Sequence, residues 1–371
     1  MKSSPVLFDL SSIGSPIELL GMNREELELF FVQLGEKPFR AHQVLKWVHK
    51  HGVMEFAAMT DLSKALRARL ADLCTLRVPQ AVRGQTSRDG TCKWLLKLPD
   101  GNCIETVFIP EERRGTVCVS SQVGCALRCA FCATARQGFS RNLTAAEIVG
   151  QLWYACRQLG ENQITNVVLM GMGEPLLNFD AVVSACAIMM DDLAYGLAKR
   201  RVTISTAGLV PAIDRLSEAS SASLAVSLHA TTDELRNDLV PLNRKYPLAS
   251  LLAACRRFAL APKQRGRKIT FEYVMLAGVN DSQADARRLV KLLSTIPSKI
   301  NLIPFNPFPG IPFQRSTPEA IERFWEILTK AGFLVTVRRP RGEDIAAACG
   351  QLVGEVKNPP KGQAQMALGA A

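Results

Sequence analysis

The sequence predicts an α/β protein in which a partial (βα)6-type barrel follows a small helical module and a β-hairpin connector. From about residue 114 onward, near-continuous apolar runs of β-type residues alternate with helical patterns, as in a parallel sheet covered by helices. The preceding segment, residues 78–110, contains the hairpin turn signals Asp89-Gly90 and Asp100-Gly101. The first 75 residues instead repeat apolar side chains at helical spacing.

The helical module is predicted to span residues 1–75. Apolar side chains recur at the spacing of one helix face between Leu27 and Leu34, and again between Val44 and Val48. The module is also basic, which suggests an accessory domain that binds RNA, although the same charges would suit a solvated helix face. Its cations include Arg24, Lys37, Arg40, Lys46, Lys50, Lys64, Arg67 and Arg69.

The connector is predicted over residues 76–113. Its two turn signals bracket a short strand, residues 92–98, and a second strand follows at residues 104–109. The segment is therefore expected to be rich in β-structure.

The barrel is predicted over residues 114–355 and is followed by a flexible tail, residues 356–371, that contains Pro359 and Pro360. Thr144 and Glu147 form a capping box at the start of one helix. In a barrel of this kind, active-site residues lie where strands end and loops begin. Its predicted strands cover residues 116–120, 166–170, 201–205, 223–228, 270–276, 299–305 and 334–338, and helices are predicted at 144–158, 281–294 and 318–330.

Charge and composition narrow the functional classes. The chain has 371 residues and a formal net charge of +11, which favours a polyanionic partner such as RNA, although the surface could simply be basic. No apolar run approaches the ~18 residues of a membrane span, and the N-terminus lacks the apolar core of a signal peptide. We therefore expect a soluble, cytoplasmic protein. In a reducing compartment, its 11 cysteines favour metal binding or catalysis over disulfides.

Three cysteines form the strongest motif. Cys125, Cys129 and Cys132 lie within eight residues, just after the first predicted barrel strand. Iron–sulfur clusters are held by cysteine thiolates, and three ligands on a four-iron cluster would leave one iron open to a substrate. The alternative is structural zinc, with Cys118 or a distant histidine as the fourth ligand.

The C-x3-C-x2-C spacing at the end of a first barrel strand resembles that of the radical S-adenosylmethionine enzymes. Gly171–Pro175 resembles their Gly-Glu segment, which follows the second strand. More narrowly, nearly the whole chain resembles the RlmN/Cfr group of bacterial RNA adenine-C methyltransferases. Its RlmN branch, which methylates carbon 2 of adenosine in 23S rRNA and in some tRNAs, is the closer match. The segments that carry this narrower resemblance are residues 118–125, 138–143 and 341–352.

The resemblance implies one 4Fe-4S cluster, bound by Cys125, Cys129 and Cys132, and two molecules of S-adenosyl-L-methionine per turnover. The matching positions for binding S-adenosylmethionine all lie at predicted strand ends. They are Gly173, Glu174, Ser205, Ser227, Leu228, His229 and Asn306. Without the resemblance, polar residues at strand ends are weak signals, and His229 alone would be interpreted as a structural histidine.

The resemblance also implies a methyl-cysteine relay. Cys349 would receive a methyl group from one S-adenosylmethionine. A 5′-deoxyadenosyl radical made from a second molecule would take a hydrogen atom from this methyl group, and the resulting methylene radical would add to adenine. Glu105 matches the proton acceptor, and Cys118 matches the thiol that forms a transient disulfide with Cys349. Taken alone, each of these residues would be interpreted as core packing or as a solvated carboxylate.

The implied partners are 23S rRNA at the peptidyl transferase centre, the anticodon loop of tRNA, and an electron donor such as flavodoxin with its reductase. We expect a monomer. Three basic runs, residues 199–201, 263–268 and 338–341, are candidate phosphate contacts, unless they are solvated charge runs. Two other functions remain open: methylation of carbon 8 by the same chemistry, and an RNA-binding protein stabilised by zinc.

Overall fold

The computed structural model describes residues 16–160 and 162–354. The predicted flexible tail, residues 356–371, and the part of the helical module before residue 16 lie outside the described residues. Within the described residues, no helix is long and apolar enough to span a bilayer.

The helical module contains two short strands and three helices. Helix α1 begins with a capping box, in which the Asn23 side chain accepts from the Glu26 backbone N–H and the Glu26 carboxylate accepts from the Asn23 N–H. The elements are β1 (Ile17–Glu18), α1 (Arg24–Gln33), α2 (Phe39–Leu45), which continues into a π-helical turn at Lys46–Lys50, α3 (Lys64–Leu73) and β2 (Cys74–Thr75). Strands β1 and β2 pair in parallel, so residues 17–18 lie beside residues 74–75.

A mixed α/β region follows the module. Its strands are β3 (Gln80–Thr86), β4 (Cys92–Lys97), β5 (Cys103–Glu111), β6 (Arg114–Cys118), β7 (Gln122–Gly124), β8 (Phe139–Asn142), β9 (Asn166–Leu169), β10 (Val202–Thr206), β11 (Ser223–Ser227), β12 (Ile269–Met275), β13 (Ser298–Pro304) and β14 (Leu334–Val337). Its helices are α4 (Ala133–Arg136), α5 (Ala145–Leu159), α6 (Phe179–Met190), α7 (Val210–Ala219), α8 (Asp233–Leu239), α9 (Leu248–Leu260), α10 (Gln283–Leu293) and α11 (Pro318–Lys330).

The main sheet has ten strands among the described residues, in the order β14-β13-β12-β11-β10-β9-β6-β5-β4-β3. The seven strands from β6 to β14 in this order pair in parallel, and helices connect them, so the predicted partial barrel is confirmed. Strands β14 and β3 are the two free edges, so the sheet stays open. The predicted strands and helices agree with the observed ones to within two residues at each end.

The connector strands continue the barrel's sheet instead of forming a separate layer. Strand β5 pairs antiparallel with both β4 and β6. The predicted boundary at residues 113/114 falls at the turn between β5 and β6, and backbone hydrogen bonds join the two sides of this boundary. The connector therefore forms one wall of the barrel, and residues of β4 and β5 can reach its mouth.

The helical module packs against the barrel helices α5 and α6. The Trp153 indole N–H donates to the Val48 carbonyl at 3.0 Å, and Arg24 forms an ion pair with Asp191. A Cβ added at Gly21 would meet the Ala146 backbone nitrogen at 2.3 Å, so the two backbones touch there. These contacts place the basic module beside the barrel.

Candidate active site

The three clustered cysteines lie on a loop between β7 and α4. The small β7–β8 ribbon, which the sequence did not predict, closes the base of this loop, and the Cys125 N–H donates to the Gly138 carbonyl at 2.9 Å. Gly124 has φ +74°, and a Cβ there would meet the Gly138 oxygen at 1.9 Å. Only glycine therefore allows the two strands to approach at the first cysteine.

Cys125, Cys129 and Cys132 are half-buried neighbours on this loop. Burial raises the pKa of each thiol, and the charges of Cys129 and Cys132 raise the pKa of Cys125 further, so the three sulfurs are close neighbours. Without a metal, three thiolates this close would repel each other. Bound metal cations offset this repulsion and so favour deprotonation of the thiols. Three half-buried thiols on one loop fit an iron–sulfur cluster as a donor set.

The donor set fits a cluster better than structural zinc. Structural zinc needs four ligands around one ion, whereas each cysteine of a four-iron cluster binds a different iron and three cysteines suffice. Cys118, the fourth zinc ligand that the sequence offered, instead interacts with Cys349.

The Gly-Glu segment packs against the strand that leads into the cysteine loop. Glu174 is 3% exposed, and its carboxylate accepts from the backbone N–H groups of Leu176 and Ala207 at 3.0 and 2.8 Å. The Glu174 N–H donates to the Gln122 side chain at 2.9 Å. Because the carboxylate is occupied within the protein, the backbone of this segment is the part that can meet a ligand.

Gly173 has φ +103°, and a Cβ there would lie 2.6 Å from Cβ of Gln122 and 2.9 Å from its backbone nitrogen. We expect Gly173→Ala to lower the free energy of unfolding by about 3 kcal/mol and to weaken S-adenosylmethionine binding at least about tenfold. Gly266→Ala is the matched control, since Gly266 has φ +78° and open space, and should cost about 1 kcal/mol. Urea unfolding and equilibrium dialysis test this. Equal losses in the two variants would contradict the steric argument.

The other predicted S-adenosylmethionine residues lie along one edge of the barrel. Ser205 is on β10, Ser227 ends β11, and Leu228 and His229 follow it directly. Asn306 follows β13 by two residues and is 5% exposed. Because these strands are parallel, their carboxyl ends share an edge, and the structure brings these residues to the same mouth as the cysteine loop.

His229 is buried in a backbone conformation that favours glycine or asparagine, with φ +59°. Its Nδ1 accepts from the Val274 N–H at 3.0 Å, so the ring's proton is on Nε2. The ring packs edge-to-face against Phe131, beside the cluster cysteines, at 4.7 Å between centroids. Burial, with a smaller contribution from Arg236, lowers the pKa of His229 to about 3, so the ring is neutral at physiological pH.

This depressed pKa predicts loss of stability in acid. Between pH 6.5 and about 3 the unfolded chain binds a proton at His229 that the folded chain does not, so the free energy of unfolding falls by up to about 1.4 kcal/mol per pH unit as the pH drops. His229→Asn keeps an acceptor and tolerates positive φ. In denaturant titrations at pH 7 and pH 5, its free energy of unfolding should depend less on pH than that of the wild-type protein. The control is His51→Asn, which replaces an exposed histidine and should leave the pH dependence unchanged. An unchanged slope in His229→Asn would contradict the prediction.

Cys118 and Cys349 are brought together by the fold. Burial raises the pKa of Cys118 to about 12, and the charge of Cys349 raises it as well. The Arg338 guanidinium donates to Sγ of Cys349 at 3.0 Å, and the charges of both cysteines help to raise the pKa of Arg338. Arg338 was a candidate phosphate contact in the sequence, but in the structure its guanidinium is directed to the Cys349 sulfur.

Glu105 lies on the same face of the sheet as Cys118. Val107 is directly opposite Cys118 in the β5–β6 pairing, and Glu105 is two residues before Val107, on the same side of the strand. The Glu105 carboxylate is buried, accepts from the Val353 N–H at 2.7 Å and forms an ion pair with Lys93 at 3.0 Å. The prediction of a merely solvated carboxylate does not describe it.

Residues 338–354, here called the Cys349 loop, cross the mouth of the barrel. The Asn306 amide donates to the Cys349 carbonyl at 3.4 Å, and the Thr134 hydroxyl donates to the Leu352 carbonyl at 2.7 Å. Asp89 of the first connector turn accepts from the Gly342 N–H at 3.1 Å. The loop is thus held from three sides: the barrel strands, the cysteine loop and the connector.

Two basic runs lie away from this mouth. Residues 199–201 directly precede β10, and residues 263–268 directly precede β12, so both are at the amino-terminal edge of the parallel strands. Arg201 donates to the Thr165 carbonyl and Lys263 donates to the Glu218 carbonyl, both within the protein. These runs therefore do not line the mouth, and their role as phosphate contacts stays a prediction.

Sequence reasoning missed three side chains that the structure places at the site. Lys93 pairs with Glu105, Gln122 supports the Gly-Glu segment, and the fully buried Arg236 donates to the carbonyls of Ala207, Ser227 and Leu228. Only Lys93 carried a detectable signal, as one of two cations, with Lys97, within an otherwise apolar predicted strand.

Two segments of the chain match known protein-family models. Residues 17–76 match the ribosomal RNA large subunit methyltransferase N-terminal domain, and residues 119–290 match the Radical SAM superfamily. A Marinobacter nauticus protein named "Dual-specificity RNA methyltransferase RlmN" is 55% identical over 354 residues, covering 94% of this chain and 96% of the relative. An Alcanivorax borkumensis protein of the same name is 55% identical over 348 residues, covering 92% and 91%.

A solved structure has the same fold. The crystal structure of a radical SAM methyltransferase from Sphaerobacter thermophilus superposes with a TM-score of 0.84 at 47% identity, covering 91% of this chain and 99% of that one.

Proposed function

The chain belongs to the RlmN family of radical S-adenosylmethionine RNA methyltransferases, and from this premise we propose that it methylates carbon 2 of adenosine in 23S rRNA, at the peptidyl transferase centre, and in the anticodon loop of tRNA. The single observation that carries the proposal is the meeting of Cys118, Cys349 and Arg338 at the barrel mouth. A protein that only binds RNA has no use for two distant cysteines beside a cation that is hydrogen-bonded to one of them.

Enzymes of this family use one 4Fe-4S cluster and S-adenosyl-L-methionine. Cys125, Cys129 and Cys132 would hold the cluster, and the backbone at Gly173 and Glu174 with Ser205, Ser227, Leu228, His229 and Asn306 would hold S-adenosylmethionine. Together these groups, when bound, supply the one-electron chemistry that activates a methyl group on Cys349 for attack on an electron-poor carbon.

Cys349 carries the methyl carbon, and Cys118 releases it. After the carbon has bonded to adenine, the Cys118 sulfur attacks the Cys349 sulfur, so that an S–S bond forms as the S–C bond breaks. The electron pair of the broken bond stays on the carbon, which takes up a proton and becomes the methyl group. The two thiols are thereby oxidised to a disulfide, and a reductant returns two electrons before the next turnover.

Arg338 favours this exchange. A thiolate attacks far faster than a thiol, and burial disfavours the thiolate at Cys118. The Arg338 guanidinium, within hydrogen-bond distance of the Cys349 sulfur, stabilises negative charge that develops on either sulfur.

Glu105 is proposed to take the proton that carbon 2 loses. Its carboxylate is buried on the same face as Cys118, where bulk water cannot perform this task. The proton passes to the carboxylate while the electron pair of the C–H bond stays in the adenine ring. The one unpaired electron that radical addition leaves on the adduct would be returned to the one-electron carrier held by Cys125, Cys129 and Cys132.

RNA is proposed to approach through the helical module and the mouth. We retain residues 1–75 as the RNA-binding module, 76–113 as the connector and 114–355 as the catalytic barrel. A paired or stacked target base must be extruded to reach the mouth, which costs a few kcal/mol and is offset by phosphate contacts. A flavodoxin with its reductase as electron donor, a monomeric state and a cytoplasmic location complete the proposal.

Nucleoside analysis tests the reaction. RNA from cells lacking this protein should lack 2-methyladenosine at the target sites in 23S rRNA and tRNA, and the purified protein should restore it. Appearance of 8-methyladenosine would instead favour methylation of carbon 8. The two products have the same mass, so chromatographic retention and fragmentation distinguish them.

A further inference from the structure

Lys93 and Glu105 form a buried ion pair at the barrel mouth. The Lys93 ammonium lies 3.0 Å from one carboxylate oxygen of Glu105, and the two side chains are 10% and 8% exposed. They sit on neighbouring strands, β4 and β5, with Lys93 opposite Val107 and Glu105 opposite Leu95 in the pairing. The pair therefore bridges diagonally across the connector wall.

Stability alone does not account for such a pair. Taking a carboxylate and an ammonium out of water costs several kcal/mol per ion, which their attraction often only balances, and apolar residues of similar size are commonly as stable. A buried pair at a reaction site is more readily explained by the chemistry of one partner.

Both partners also hold the Cys349 loop. Lys93 donates a second hydrogen bond to the Ala346 carbonyl at 3.2 Å, and the other oxygen of Glu105 accepts from the Val353 N–H at 2.7 Å. These two contacts flank Cys349 on its two sides in sequence. The carboxylate is therefore fixed in direction by Lys93 on one oxygen and by the loop on the other.

We propose that Lys93 is the positioning residue of the proton acceptor: it fixes the direction of the Glu105 carboxylate relative to Cys349. The inference rests on the proposed function, since it assigns Glu105 the proton from carbon 2. When that proton arrives, the carboxylate becomes a neutral acid and Lys93 stays an ammonium ion. Lys93 keeps its bond to Ala346, so the acid remains in place until it loses the proton to water.

Lys93→Met tests the proposal, because methionine keeps the apolar stem and removes the charge. We expect turnover of adenine methylation to fall about 100-fold, at the lower end of what a general base contributes. Protein covalently joined to RNA should accumulate, since the proton leaves slowly. With RNA deuterated at carbon 2 of the target adenosine, product release should show a larger primary isotope effect than in the wild-type protein. Lys93→Arg should recover part of the rate.

Lys97→Met is the matched control. Lys97 lies on the same strand and the same face four residues on, but it is exposed, so this variant loses the same charge towards RNA without touching Glu105. It should turn over like the wild-type protein. Folding and cofactor loading are followed in every preparation by the iron content and by the extra methyl group on Cys349. Both should persist in Lys93→Met, because Asp89, Thr134 and Asn306 hold the Cys349 loop independently of Lys93.

Two outcomes would overturn the proposal. The first is wild-type turnover in Lys93→Met. The second is an equal fall in Cys349 methylation and adenine methylation with no change in the isotope effect, because that result would show a purely structural role for Lys93. Failure of the proposed function is distinguishable, because the wild-type protein itself would then leave carbon 2 of adenosine unmethylated.

Discussion

Replacing Cys118 by alanine is expected to stop release of methylated RNA and to leave the protein bonded to its substrate. Without the Cys118 sulfur, nothing attacks the Cys349 sulfur, so the bridge from Cys349 through the methylene carbon to adenine is not broken. The buried site of Cys118 also excludes a water-borne thiol that could replace it. Turnover should fall by about 1,000-fold or more, as for loss of a nucleophile.

Denaturing gels will detect the adduct as a protein band that shifts back after ribonuclease treatment, and peptide mass spectrometry will locate the nucleotide on Cys349. Cys92→Ala is the matched control, since Cys92 is a half-buried cysteine of the connector wall that has no place in the relay. It should release product normally. Free methylated RNA from Cys118→Ala at the wild-type rate would refute the disulfide step.

Replacing Cys125 by alanine is expected to remove the iron–sulfur cluster and, with it, every downstream activity. The loop supplies three ligands, so loss of one leaves two, and the burial that raises the thiol pKa values then disfavours the remaining thiolates. Iron and acid-labile sulfide should fall at least about tenfold after anaerobic purification, a loss of about 1.4 kcal/mol or more in binding. The charge-transfer absorption of the cluster should vanish.

Cys156→Ala, on helix α5 away from the loop, is the control and should retain both iron and sulfide. Cleavage of S-adenosylmethionine to 5′-deoxyadenosine should be lost in Cys125→Ala only. Full iron and sulfide in Cys125→Ala would show that other residues hold the cluster. Zinc without sulfide in the wild-type protein would instead support the alternative of a zinc-stabilised RNA-binding protein.

Much of the fold was predictable because its signals are local. A strand buried on both faces has a continuous apolar run, as at Leu224, Ala225 and Val226. A helix begins where Thr144 and Glu147 satisfy free backbone N–H groups. Parallel strands then place Ser227 and Asn306 at one edge without further information. The same rule places residues 199–201 and 263–268 at the opposite edge of the sheet.

The cysteine triplet is likewise a local signal, since three ligands on one loop need no distant partner. By itself, then, the sequence determined the order of strands and helices, the edge that carries the site, and the loop that can hold a cluster. Cys118, Glu105 and Cys349 were identified in sequence only through a family resemblance, because nothing in their neighbours marks them as reactive.

Only the tertiary structure decided which distant side chains meet. Arg338 reads as one of a run of surface cations, yet the Cys349 loop folds back across the mouth and brings it to a sulfur. Lys93 finds Glu105 and the Ala346 carbonyl only because the connector continues the barrel's sheet. Periodicity reports how each segment is buried, whereas contacts between segments depend on how the sheet curves and where its loops return.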